Sequence, residues 1–360
     1  MYFSASLTIS LAAIMPALAL PTTTSHPQLK SAIDAVPGES SLFTTYGGKE
    51  TPLAANYTKV IPAIRSGTAG PDDLLFQNLL SAEWIIYSFY QQGVETFSAS
   101  DFTKLGLPNT TYQRIVEIRD NEAGHVRIFQ DQISETSVKP GPCKYEFGFG
   151  KDAAAFLSLQ VYIEVSSMAF LTGLSLQADL NISKSALMAI GQVETRHTAW
   201  SLIDVWNTSP FAGPSDTIYP YANQILDMTN GFVVPGSCPS QNPVYPSPRQ
   251  GLPPMKFDRN GTTATPGSEI NLLFAGDAPK FDADKDYYAV FYHGVNTISV
   301  PYDPKTSRVT IPKMFDVESS IIIVSIADEY DAPSEYSVLA GPLIILEQPG
   351  LLTLQEPSSE

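Results

Sequence analysis

Two of the four histidines in this chain stand three residues after a glutamate. His125 follows Glu122 in the stretch NEAGHV, and His197 follows Glu194 in the stretch VETRHT. Residues three apart lie on one face of a helix, so each pair would present a carboxylate and an imidazole side by side. Transition metals accept both ligand types, and the two pairs are candidates for two halves of one metal site.

Long periodic segments with few prolines occupy the middle of the chain and predict four helices. Aspartate, asparagine or serine marks their starts, and the second and fourth helices stop before a proline. The predicted helices span residues 73–93, 110–137, 152–179 and 183–207. Helices of these lengths favour a four-helix bundle.

Each predicted helix carries an apolar stripe that is interrupted by a carboxylate. The interrupting residues, in chain order, are Glu83, Glu122 with His125, Glu164, and Glu194 with His197. Unpaired carboxylates in a core are costly, so four of them need a shared positive partner. Two divalent cations balance four carboxylates, and two imidazoles complete the ligand sets. Oxygen ligands with one nitrogen per ion suit iron or manganese, with zinc as an alternative.

The heights of these residues along their helices support a single site. All six lie within about one turn of mid-helix, given the roughly 1.5 Å rise per residue of an α-helix. Acidic residues placed at random have no reason to gather at one height. We therefore expect the six side chains to meet in one layer of the bundle.

The order of these residues resembles that of the ferritin-like di-iron carboxylate proteins. Residues 73–207 have one Glu, then E-x-x-H, then one Glu, then E-x-x-H. The resemblance implies three kinds of ligand: the terminal Glu83 and Glu164, the bridging Glu122 and Glu194, and one histidine per ion, His125 and His197. It also implies that Tyr90, seven residues after Glu83, lies close to the metals.

The family's bundle usually has a long crossover between its second and third helices. Residues 138–151 connect the corresponding predicted helices here. They are long enough to span the bundle when extended. An up-down-up-down path fits the sequence as well.

The first 19 residues predict a secretory signal peptide. An apolar run of about a dozen residues ends in Ala17-Leu18-Ala19, a typical cleavage pattern. That run is too short to span a membrane, and we expect no later stretch to be long and apolar enough for a span. Five sequons are predicted glycosylation sites and agree with an extracellular or cell-wall location: Asn56, Asn109, Asn181, Asn207 and Asn260.

The chain has two cysteines, Cys143 and Cys238, both in Pro/Gly-rich segments. An oxidising compartment favours one disulfide between them, and two free thiols are the alternative. The disulfide would tie the loop between helices two and three to the segment beyond helix four.

Changes in composition along the chain indicate six segments. The predicted segments are the signal peptide 1–19, an extended lead-in 20–70, the bundle 71–207, a Pro-rich connector 208–257, a β-rich region 258–348 and a tail 349–360. Short β-rich runs separated by turn residues predict a small sandwich in the fifth segment. The predicted fold class is multidomain, an all-α ferritin-like four-helix bundle followed by a small all-β sandwich-like domain.

The net charge of the chain excludes one class of partner. The net charge of −16 argues against nucleic acid, which needs a basic face. The residues and the resemblance together predict a secreted protein that binds two divalent ions, iron or manganese, and reacts with O2 or peroxide. It resembles fungal secreted ferritin-like proteins linked to stress response and sexual development. One alternative is a non-catalytic secreted or cell-wall stress protein that uses the bundle as a scaffold without metal, and another is an iron-binding or storage protein. The sequence leaves the oligomeric state open.

Overall fold

A computed structural model describes the helical and β-rich parts of the chain. The described residues are 53, 59–207, 210–211, 217–243, 245–246, 249–258, 264–315 and 321–346. They all belong to one compact unit. The predicted signal peptide, most of the lead-in, the tail, Asn56 and Asn260 lie outside the described residues.

Four long helices form a bundle, with two short helices beside it. The elements are α1 Asp73–Thr96, α2 Ala99–Thr103, α3 Thr111–Gln132, α4 Ala153–Gln177, α5 Asn181–Trp200 and α6 Ala222–Thr229. A π-helical turn, Ser201–Val205, continues α5 to nearly the end predicted for the fourth helix. Helix α3 ends five residues before the predicted 137, and neither α2 nor α6 was predicted.

The helix directions show that α3 and α4 are joined by a crossover. Ser134, just past the end of α3, donates hydrogen bonds to Asp73 at the start of α1. Phe156, in the first turn of α4, instead stacks on Phe89 near the other end of α1, with ring centroids 4.6 Å apart. Residues 133–152 therefore run the length of the bundle, and the up-down-up-down path is wrong.

Three side chains of α1, about two helical turns apart, donate hydrogen bonds to backbone carbonyls of the crossover. Gln77 donates to the Val138 carbonyl at 2.7 Å, and Trp84 donates to the Pro140 carbonyl at 2.8 Å. Gln92 donates to the Tyr145 carbonyl at 3.1 Å. These bonds satisfy backbone carbonyls that a buried irregular segment would otherwise leave without partners.

The predicted disulfide between Cys143 and Cys238 is confirmed. It joins the crossover to the segment after α6. Hydrogen bonds extend this junction, since Glu146 donates its amide to the Phe232 carbonyl at 2.8 Å and Val234 donates its amide to the Lys144 carbonyl at 2.9 Å.

The β-rich region contains two antiparallel sheets. Its strands are β1 Met255–Asp258, β2 Glu269–Phe274, β3 Tyr288–His293, β4 Asn296–Pro301, β5 Arg308–Thr310, β6 Ile321–Ala327 and β7 Val338–Leu346. One sheet has the order β1-β2-β5 and the other β4-β3-β6-β7. Residues from both sheets share one apolar core that includes Leu272, Phe291 and Val324. The sandwich-like prediction is confirmed, except that β1 begins inside the segment predicted as connector.

The four-stranded sheet is covered on its second face by the helical part. All seven residues of β6 are buried, and strands buried on both faces read as continuous apolar runs. Tyr219, just before α6, packs against Tyr292 of β3 with ring centroids 4.8 Å apart. The Tyr219 hydroxyl also lies 3.3 Å from the Ser325 hydroxyl of β6. The segment between bundle and sandwich is thus part of the packing between them.

Helix α4 corrects one expectation. Among the described residues it is the one helix long and apolar enough to cross a membrane by length and composition, and 78% of its apolar window is buried. That burial is typical of the core helix of a bundle, and such a helix passes the same test as a membrane span.

Candidate metal centre

The structure brings all six predicted ligands together in the bundle core. Glu83 comes from α1, Glu122 and His125 from α3, Glu164 from α4, and Glu194 and His197 from α5. His125 is the most exposed of the six, at 5%. Each residue lies on the buried face of its helix, as the apolar stripes predicted.

The glutamates of the two E-x-x-H pairs each divide their oxygens between the two histidines. Glu122 places Oε2 3.0 Å from His125 Nδ1 and Oε1 2.9 Å from His197 Nδ1. Glu194 places Oε1 3.2 Å from His125 Nδ1 and Oε2 3.4 Å from His197 Nδ1. This arrangement is the one expected of carboxylates that bridge two ions.

The other two glutamates each lie close to only one of the two histidines. Glu83 Oε1 lies 3.5 Å from His125 Nδ1, and Glu164 Oε1 lies 3.5 Å from His197 Nδ1. Two overlapping groups result, in which the candidate ligand atoms lie within 4.8 Å of one another: Glu83, Glu122, His125 and Glu194, and Glu122, Glu164, Glu194 and His197. Either group could hold a metal ion.

Several candidate ligand atoms of the cluster are buried and have no hydrogen-bond partner by geometry among the described residues. They are Glu83 Oε1, Glu122 Oε1, Glu164 Oε2, both oxygens of Glu194, and His197 Nδ1. Glu122 Oε1 and His197 Nδ1 both belong to this set, although they are only 2.9 Å apart. Buried polar atoms are almost always satisfied. Lone pairs that converge without pairing fit cations placed among them, so these residues suit a pair of divalent ions.

The pKa values of the four glutamates shift in two directions. Burial, strengthened by neighbouring carboxylates, raises the pKa of Glu83 and of Glu164 well above its usual value. Burial acts in the same direction on Glu122 and Glu194, but the two imidazoles outweigh it and hold each pKa below its usual value.

The pKa values of both histidines shift upward. Burial alone would lower the pKa of His125 and of His197, but the surrounding carboxylates raise both pKa values well above 6.5. Two divalent cations with four carboxylates and two neutral imidazoles sum to zero charge. The donor set therefore accommodates two divalent ions without excess charge.

Tyr90 lies beside the cluster, where the resemblance placed it. Its hydroxyl donates a hydrogen bond to Glu164 Oε1 and accepts one from Gln160 Nε2 at 3.1 Å. Burial and the charge of Glu164 raise the pKa of Tyr90 well above 10, so it stays a phenol and a donor. Tyr90 thus holds the orientation of one terminal carboxylate.

The two histidines have different surroundings on their outer edges. His197 Nε2 lies 3.0 Å from the side-chain amide of Asn121. His125 instead stacks near Phe129, with ring centroids 6.2 Å apart. For His197 Nδ1 to bind a metal, Nε2 must carry the proton, so Asn121 would present its amide oxygen to it.

Two residues beside the cluster, Asn121 and Gln160, were not predicted from the sequence. Gln160 precedes Glu164 by one helical turn, so helical spacing could have identified it. Asn121 immediately precedes Glu122 and meets His197 only because α3 and α5 pack together. Its role therefore depends on tertiary structure.

Two openings approach the cluster from different sides. A small apolar cavity of about 20 Å³ lies between α1, α4 and α6 and has Glu83 in its wall. A cleft of about 230 Å³ lies between α3 and α5 and has Asn121 and His197 in its wall.

Three predicted glycosylation sites, Asn109, Asn181 and Asn207, are exposed. Exposure is required for glycan attachment and does not establish it. Glycosylation at these positions stays a prediction.

A bundle with single glutamates on two helices and E-x-x-H pairs on the other two is the architecture of the di-metal carboxylate proteins. In agreement, residues 72–202 match the family model of the ferritin-like domain. This range includes the four long helices and all six clustered residues, and it is a ferritin-like domain. A comparison of the chain with curated proteins finds no significant match.

Proposed function

We propose that the protein binds two divalent metal ions, iron or manganese, through its six clustered residues and reacts with O2 or peroxide. One observation carries the proposal: Glu122 and Glu194 each direct one oxygen toward the His125 half of the cluster and the other toward the His197 half. A purely structural ion-pair network has no need of this division.

The chain's own residues would hold, orient and enclose the ions. One ion would be bound by Glu83 and His125, and the other by Glu164 and His197. Glu122 and Glu194 would bind both ions. When bound, the ions supply the redox chemistry that amino-acid side chains lack. Tyr90 donates to Glu164, and the surrounding apolar side chains exclude water.

Secretion and a role in stress or development complete the proposal. The signal-peptide pattern supports secretion, and so does the disulfide between Cys143 and Cys238, because disulfides persist in oxidising compartments. The stress-related role rests on the resemblance to fungal secreted ferritin-like proteins.

Metal content tests the site. We expect the wild-type protein to retain two ions per chain after purification and reloading, measured by elemental analysis. Glu194→Ala and His197→Ala should each reduce this to one ion or none, because Glu194 would bridge both ions and His197 would bind one. Glu95→Ala is the matched control, since Glu95 is exposed on α1. Full metal content in both site variants, with native circular dichroism, would show that the assignment is wrong.

Repeated consumption of the oxidant tests the proposed reaction. The iron-loaded protein should consume O2 or peroxide repeatedly, as followed with an oxygen electrode or by peroxide absorbance. Uptake of many iron atoms per chain would instead favour storage. Protein that binds no metal would favour a non-catalytic scaffold, and two bound ions without consumption would contradict the proposed reaction.

A further inference from the structure

We propose that the cleft between α3 and α5 binds a small aromatic carboxylate beside the metal centre. This inference names a substrate class for that centre and rests on the proposed function for its chemical purpose. Binding itself depends only on residues of the cleft and can be tested with or without metal.

The cleft is built from one stripe of each helix. Helix α3 contributes Arg114, Glu117, Ile118 and Asn121, and helix α5 contributes Arg196, His197 and Trp200. Arg196 and Trp200 are four residues apart, so they are neighbours on the surface of α5. Arg114 and Ile118 have the same spacing on α3.

One edge of the cleft reaches the metal centre. His197 lines the cleft, and its Nε2 atom is 3.0 Å from the Asn121 amide. The other ring nitrogen, Nδ1, faces Glu122 at 2.9 Å. A molecule that contacts this edge would therefore be separated from the proposed ions by one imidazole ring.

One guanidinium of the cleft is available to an anion. Arg114 is offset by Glu117 at 2.6 Å and by the nearby Asp204. Arg196 is exposed and has no ion pair among the residues that the structure describes. An exposed guanidinium without an ion pair can bind a carboxylate through two parallel hydrogen bonds.

The size and apolar surface of the cleft narrow the ligand further. Its volume of about 230 Å³ is below the roughly 300–1,000 Å³ of pockets for drug-sized molecules, so the occupant is small. Trp200 and Ile118 provide apolar surface, and an indole favours packing against another ring. The π-helical turn Ser201–Val205 begins directly after Trp200, and such turns occur frequently at functional sites.

Calorimetry with benzoate tests the proposal. We expect wild-type protein to bind benzoate more tightly than phosphate, acetate or the neutral benzamide, both with and without metal. Arg196→Gln should weaken benzoate binding by at least tenfold. Trp200→Leu should reduce the preference for benzoate over acetate. Arg308→Gln is the matched control, because Arg308 is an exposed arginine that pairs with Glu269 in the sandwich, and it should leave the affinity unchanged.

Three results would overturn the inference: equal benzoate affinity in wild type and Arg196→Gln, equal affinity for benzamide and benzoate, or tighter binding of phosphate. Metal analysis of the same samples separates this inference from the proposed function. Benzoate binding without metal binding would refute only the metal centre. Metal binding without benzoate binding would refute only the cleft.

Discussion

At the scale of single residues, the Tyr90 hydroxyl shows how a buried carboxylate is kept in place. It donates to Glu164 and accepts from Gln160, and its side chain is fully buried. Neither glutamate nor glutamine could recruit water here without opening the core. The hydroxyl therefore contributes mainly by preventing unsatisfied polar atoms, whose burial is costly.

Tyr90→Phe should lower the free energy of unfolding by about 1–3 kcal/mol, the cost of leaving buried polar partners unsatisfied. Metal content should stay near that of wild type, because Tyr90 is not itself a proposed ligand. Urea unfolding and elemental analysis measure the two quantities. Tyr330→Phe, at a position that is 63% exposed, is the control and should change neither. Loss of metal in Tyr90→Phe without a stability change would assign Tyr90 a ligand role instead.

At the scale of elements, two adjacent aspartates join three helix ends. Asp72 accepts hydrogen bonds from the amides of Asp179 and Leu180, before α5. Asp73 accepts from Gly70 and from Ser134 after α3. The sequence suggested that these aspartates begin α1, yet their side chains mainly secure other segments.

Asp73→Asn should remove a pH-dependent part of the stability. Burial acts to raise the pKa of Asp73, but hydrogen bonds from Ser134, Ser137 and Gly70 outweigh it and hold the pKa below 3.8. A depressed carboxyl pKa stabilises the fold above the unfolded value, and this contribution is lost as pH falls through the folded pKa. Wild type should therefore exceed the variant in stability at pH 7 and lose that advantage below about pH 4.

Urea unfolding at pH 7 and pH 3 measures this difference. Asp282→Asn, in an exposed turn of the sandwich, is the control. A stability gap between wild type and Asp73→Asn that is the same at both pH values would contradict the assignment.

At the scale of the whole molecule, the bundle and the sandwich meet through a close backbone approach. A Cβ atom on Gly173 of α4 would lie 2.7 Å from the Tyr219 carbonyl oxygen and 2.8 Å from the Ala222 amide nitrogen. Tyr219 in turn packs on Tyr292 of the sandwich. The glycine thus permits α6 and the sandwich to pack against the bundle.

Gly173→Ala should destabilise the protein by about 1–3 kcal/mol, as overpacking usually does, even though alanine is the better helix former. Gly191→Ala on α5 is the matched control, because its new Cβ atom would meet only Leu171, at 3.7 Å. That variant should be neutral or stabilised by up to about 1 kcal/mol. Thermal unfolding compares the two, and a Gly173→Ala protein as stable as Gly191→Ala would refute the close approach.

Much of the fold and of the candidate site followed from local patterns. The E-x-x-H pairs, the interrupted stripes and the β-rich region were predictable, because helical and strand periodicities appear in consecutive residues. Helix α6 was missed because it is only eight residues long and lies among prolines. Strand β1, Met255–Asp258, was missed because it directly follows Pro253 and Pro254 at the end of the Pro-rich segment.

The sequence by itself determined which residues face the core and at what height, since both depend on spacing within one helix. Only the tertiary structure decided the crossover, the division of the Glu122 and Glu194 oxygens between two histidines, and the contact of Asn121 with His197. These features depend on distances between helices, which periodicity within one helix does not constrain. The packing of the sandwich against the helical part was also decided only by the tertiary structure. It brings together residues more than 70 positions apart, such as Tyr219 and Tyr292.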